Sequence, residues 1–92
     1  MNNDTKKFLS YLVKTDVQAG QRICLSLFNV KKIPGFNDDP ETALSLEKAE
    51  DLGYIELEFK QDIDNLNRKY KKPSDFDLFF THEGINYFKN RL

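Results

Sequence analysis

Apolar positions recur along this chain with two different periods, and the changes of period divide it into elements. Phe8, Leu9, Tyr11, Leu12 and Val13 form a stripe at helical spacing. With Asp4 or Thr5 as its cap, this predicts a first helix ending near Lys14 and Thr15. Ala19-Gly20 marks a turn. Residues 21–30, QRICLSLFNV, carry two readings: Ile23, Leu27 and Val30 fit a helix, whereas Ile23, Leu25 and Leu27 alternate as a strand. The breadth of the apolar set favours a helix buried on more than one side. The next segment, IPGFNDDP, is dense in turn residues and is expected to be a loop.

The second half is patterned more sharply. Asp38 or Asp39, followed by Pro40 and Glu41, supplies a cap, a first-position proline and a first-turn carboxylate. The helix they start should run to about Leu52. Thr42, Leu46, Ala49 and Leu52/Gly53 share one face, Ala43 and Leu44 flank it, and Gly53 is placed to stop it. Tyr54 to Lys60 then alternates, with Ile55, Leu57 and Phe59 on one side and Glu56, Glu58 and Lys60 on the other. Phe76 to Thr81 is the expected partner strand, and about fifteen residues rich in Asp, Asn and Lys separate the two. Thr81 can cap a last helix with Gly84 in its first turn and Ile85, Phe88 and Leu92 at helical spacing.

Ninety-two residues make one domain, spanning 1–92, and 39% hydrophobic content with eight Phe and four Tyr is ample for a core. The single cysteine, Cys24, rules out an intramolecular disulfide or a cysteine-based metal site and suits a reducing cytoplasm. No export signal is recognisable. No apolar run approaches the roughly 20 residues of a membrane helix, so no membrane association is expected.

Charge is segregated. Residues 1–33 hold six basic and two acidic side chains, residues 34–66 hold two and ten, and residues 67–92 hold six and three. The net charge of −1 therefore conceals a strongly acidic middle. Nucleic-acid binding depends on local surface charge, so the total does not exclude it.

Two segments carry a family likeness. ALSLEKAEDLGYIELEF (43–59) resembles the junction between recognition helix and first wing strand in winged helix-turn-helix regulators. DFDLFFTHEGINYFKNRL (75–92) resembles the closing strand and helix of the MarR and PadR families. The resemblance covers nearly the whole chain. It implies an α+β winged helix-turn-helix fold, with a three-helix core, a two-stranded wing and a C-terminal helix, and with it a DNA-binding or transcription-regulating role. Two features depart from the family: Asp75-Phe76-Asp77 stands where a wing arginine is usual, and the helix that would enter the major groove carries Glu41, Glu47, Glu50 and Asp51 against Lys48.

The wing loop holds Arg68, Lys69, Tyr70, Lys71 and Lys72, four cations around an aromatic ring. Such a loop can grip the phosphates of double-stranded DNA or enter its minor groove. Lys32, and Thr42, Ser45 and Lys48 of the groove-facing helix, complete the nucleic-acid-binding set that this reading implies. The same residues fit a second reading, in which the loop is merely solvated and the acidic helix 41–51 docks a basic protein partner. The aromatic last helix, with Tyr87, Phe88 and Leu92, fits either a homodimer paired through terminal helices or completion of the monomer's core. His82 lacks catalytic partners in sequence, no nucleophile motif or phosphate-cradling glycine loop is present, and Asp62-Ile63-Asp64-Asn65 lacks the glycine and glutamate of a calcium loop. No enzyme activity, cofactor or metal is expected.

Overall fold

The computed structural model describes residues 1–28, 33–59 and 72–90. Within them the chain is α+β. Three α-helices, α1 (Asn3–Lys14), α2 (Pro40–Asp51) and α3 (His82–Lys89), accompany a three-stranded antiparallel sheet of β1 (Ile23–Cys24), β2 (Ile55–Phe59) and β3 (Phe76–Phe80). Among the described residues no helix is long and apolar enough to cross a membrane.

The strand order is β1-β3-β2. Ile55 pairs with Phe80, Leu57 with Leu78 and Phe59 with Phe76, so one face of the hairpin is apolar and faces the core. On the other side of β3, Ile23 pairs with Leu78 and Cys24 with Asp77. The helix expected over 21–30 is therefore corrected, because this segment opens as a strand and tightens into a short 3-10 turn, Leu25–Phe28. The physical reason lies in β3. Its residues are nearly all buried, and a buried strand edge needs partners for its peptide groups. The Gly20 N–H donates to the Phe80 carbonyl and extends that pairing. Ile23 and Leu25 turn inward, while Leu27, expected inward on either reading, is 63% exposed.

The core gathers Phe8, Leu9 and Leu12 of α1, Ala43, Leu46 and Ala49 of α2, Ile55 and Leu78 of the sheet, and Phe88 of α3. Asn2, rather than Asp4 or Thr5, caps α1 by accepting from the Thr5 N–H at 2.8 Å. Asp39 caps α2 by accepting from Thr42 N–H at 2.8 Å, with Pro40 beginning the helix as expected.

The two junctions of the second half dock directly on each other. At the end of α2 the Gly53 N–H donates to Glu50 C=O and the Tyr54 N–H to Ala49 C=O, the paired bonds of a Schellman stop, with Gly53 at φ +84°. Thr81 caps α3 by accepting from the Gly84 N–H at 3.0 Å, and its hydroxyl donates to Gly53 C=O at 2.6 Å. Gly84 lies so close to Tyr54 that an added Cβ would overlap the Tyr54 carbonyl oxygen and sit 2.7 Å from its carbon. The Tyr54 and Tyr87 rings stack at 4.2 Å, with Phe88 edge-on to both.

In the described part of α3 the aromatic residues pack within the monomer. Phe88 is fully buried, and Tyr87 and Ile85 pack against the core. Among the described residues α3 presents no large exposed apolar side chain, so its aromatic pattern is accounted for by the monomer's own interior. Leu92 lies outside the described residues.

Candidate functional site

The helix that the resemblance would place against DNA is α2, and its two faces can be assigned residue by residue. Thr42, Ala43, Ser45, Leu46 and Ala49 are buried. Glu41, Leu44, Lys48, Asp51 and Leu52 are exposed, with Glu47 half-buried beside them. Thr42 and Ser45, each only 6% exposed, thus point into the protein and are unavailable for reading bases, which corrects their place in the binding set. The Asn2 backbone N–H donates to the Ser45 hydroxyl at 3.0 Å, tying the start of α1 to the middle of α2. The Asn2 bond places the start of α1 on the side of Ser45, while Leu44, Lys48 and Asp51, at i, i+4 and i+7, line up on the exposed face.

What remains on the outward face is apolar and acidic. Leu44 is 61% exposed and Leu52 is 55% exposed, with Glu41, Glu47 and Asp51 around them against Lys48. The two leucines stand about 12 Å apart along the helix, at roughly 1.5 Å per residue. Leu52 was expected on the inner face. It sits instead at the cap of the helix, where the Schellman reversal at Gly53 carries the chain inward one residue later. Leu44 could have been found from sequence, since it shares its i+4 and i+7 positions with Lys48 and Asp51, and a leucine on a polar row is an outward leucine.

Other carboxylates of the acidic middle hold the fold. Glu50 Oε2 accepts from the Leu57 N–H at 2.9 Å, which fastens α2 to β2. Asp38 accepts from both the N–H and the hydroxyl of Ser74, at 2.9 and 3.0 Å, which fastens the start of α2 to the root of the hairpin. Asp39 is spent on its cap. The acidity of the region is thus partly structural, and among the described residues the part left facing solvent lies on the α2 face and on the outer side of the sheet.

On that outer side, Arg22 lies over the Phe79 ring at 4.9 Å and pairs with Asp77 and with Glu58, the latter at 3.5 Å. Asp77 is buried, and its hydrogen bond is the chief reason the Arg22 guanidinium is raised above its ordinary value. Desolvation opposes that shift and Glu58 adds to it. Arg22 is therefore committed to the sheet and is not a loose basic group.

Of the predicted cations, Lys48 and Lys72 are exposed. Lys72 stands at the root of the basic loop, where its N–H donates to the Asp75 carboxylate at 3.0 Å and Pro73 beside it is buried. Arg68, Lys69, Tyr70, Lys71 and Lys32 lie outside the described residues. His82 is exposed at the first position of α3. No protein-family model, curated protein or solved structure matches this chain.

Proposed function

We propose that this chain is a protein-interaction module with a winged-helix fold, whose outward α2 face binds a partner that is basic and apolar. The observation that carries the reading is the pair of exposed leucines, Leu44 and Leu52, set among Glu41, Glu47 and Asp51. Exposed leucines two turns apart on one helix face suit an apolar groove or a second amphipathic helix. The carboxylates around them favour lysine or arginine at its rim and disfavour phosphates. The helix–strand–loop–strand–helix order of the second half supports the winged-helix part of the reading.

Selection from a random peptide library tests it. Enriched peptides should alternate Lys or Arg with apolar residues. Leu44→Ser and Leu52→Ser should each weaken binding about fivefold, since each removes roughly 1 kcal/mol of apolar burial. Enrichment that ignores both substitutions overturns the assignment.

A second reading, contact with double-stranded DNA through the wing, is favoured by the anchored, exposed Lys72 from which the loop bearing Arg68, Lys69, Tyr70 and Lys71 continues. Here a salt series with labelled duplex DNA decides. Binding that falls steeply with salt and vanishes when Arg68, Lys69, Lys71 and Lys72 become alanine establishes the DNA reading. No binding at low salt removes it.

A further inference from the structure

The outward face of α1 is mainly basic where that of α2 is mainly acidic, with Lys6, Lys7 and Lys14 set against the exposed Asp4 of the first turn. A groove of about 530 Å³ runs along it, lined by Asn3, Lys6, Lys7, Ser10, Tyr11 and Lys14, with Pro34 of the following loop as its far wall. No carboxylate lines it among the described residues, and no ion pair there engages its three lysines. Tyr11 is 41% exposed. It stands between this groove and a neighbouring one of mixed lining that includes Gln21, Arg22, Leu27 and Phe28. Lys7, Tyr11 and Lys14 follow one another at i, i+4 and i+7, so cation, ring and cation repeat along about 10 Å of helix.

We propose that this α1 groove is a binding site for single-stranded nucleic acid, with Lys6, Lys7 and Lys14 on the phosphates and Tyr11 stacked on a base. The chemistry is that of a stacking platform in a cationic groove: the lysines supply attraction without sequence preference and the exposed ring supplies a π-face that any base can use. The groove has the volume of a small-ligand cleft, which is room for a nucleotide or two. Ser10 and Asn3 add neutral donors for sugar and phosphate oxygens. The α2 face takes no part in this site, so the assignment does not depend on the protein partner proposed above.

Labelled oligothymidylate, titrated by fluorescence anisotropy over a salt series and by amide NMR shift mapping on the intact chain, tests the proposal. Amide shifts should appear over residues 3–14 and at Gly35 beside Pro34, and not over 41–52. For three phosphate contacts on a single strand the slope of log affinity against log salt should be about −2. Replacing Lys7 and Lys14 by alanine should reduce it to about −0.7. Tyr11→Ala should weaken binding about fivefold or more, as loss of one stacked base requires, and Tyr11→Phe should retain it. All of these positions are solvent-facing, so unchanged thermal melts confirm that the variants remain folded. Alanine at Arg68, Lys69, Lys71 and Lys72 should leave oligothymidylate binding in place. If that variant alone abolishes binding, the strand sits on the wing and the proposal falls. It falls equally if oligoglutamate displaces the oligonucleotide at equal charge concentration with no contribution from Tyr11, which would make the groove an acidic-peptide site. Shifts over 3–14 that depend only on protein concentration would assign the groove to self-association and overturn it too.

Discussion

Replacing Gly84 by alanine sets two physical effects of opposite sign against each other. Gly84 occupies the third position of α3, and by helix propensity alone alanine there should stabilise the protein by about 1 kcal/mol. The tertiary structure predicts the reverse. The new methyl would overlap the Tyr54 carbonyl oxygen, with the carbonyl carbon 2.7 Å away and Tyr54 Cα 3.0 Å away. These are backbone atoms held by the Schellman stop, so they cannot swing aside as a side chain could. The start of α3 must instead withdraw by more than an ångström. That movement breaks the Thr81 hydroxyl bond to Gly53 C=O (2.6 Å) and the Thr81 N–H bond to Tyr54 C=O (3.1 Å), and it unstacks Tyr87 from Tyr54. Overpacking costs about 1–3 kcal/mol, and each lost hydrogen bond about 1 kcal/mol. Set against the propensity gain, the net loss is about 2–4 kcal/mol, out of roughly 5–15 kcal/mol for a domain of this kind. At about 4–8 °C per kcal/mol, the melting midpoint should fall by roughly 10–30 °C. Urea unfolding followed by circular dichroism measures it, with a lower midpoint at unchanged slope as the expected result. A Gly84→Ala protein as stable as the parent, or more so, would refute the docking of the two junctions.

Further substitutions probe the structure in three other places. The Thr5 hydroxyl is buried on α1 with no hydrogen-bond partner among the described residues, so Thr5→Val should raise stability by about 1 kcal/mol at constant shape, read as a higher urea midpoint. Asp38→Ala removes both bonds to Ser74 and should cost about 1.5–3 kcal/mol, whereas Asp38→Asn, which can still accept, should cost less; thermal melts of the two variants compare them. Leu44→Ser and Leu52→Ser should each change stability by no more than about 0.5 kcal/mol because neither side chain is in the core, and a large loss in a melt would show that the outward face has been misassigned.

The second half of the chain was the more legible because its signals are local. Asp39-Pro40 starts a helix by capping and by a fixed φ, Gly53 ends it by a positive φ, and Ile55, Leu57 and Phe59 alternate because a half-buried strand must. Residues 21–30 were not legible in this way. Ile23, Leu27 and Val30 fit a helix as Ile23, Leu25 and Leu27 fit a strand, and the choice was made by the edge of β3, more than fifty positions away in sequence. The candidate surface divides along the same line. The acidic character of α2 is plain in its composition, but Thr42 and Ser45 are apt DNA-reading residues by type and are buried in fact. Which side of an amphipathic helix faces the protein depends on what packs there, and here Asn2 and α1 take the side bearing Ser45.

From its sequence alone, then, this protein determined its α+β class, the end of α1, the limits of α2 and the β2–β3 hairpin, and the segregation of its charge, because caps, periods and stop residues act within a few positions. Only the tertiary structure decided that Ile23–Cys24 adds a third strand, that Gly84 is required by the Tyr54 backbone, and that Glu50 and Asp38 are structural while Leu44, Leu52 and the α1 lysines face outward. Those outcomes depend on which buried peptide groups and carboxylates meet across the core, and a one-dimensional pattern carries no record of that meeting.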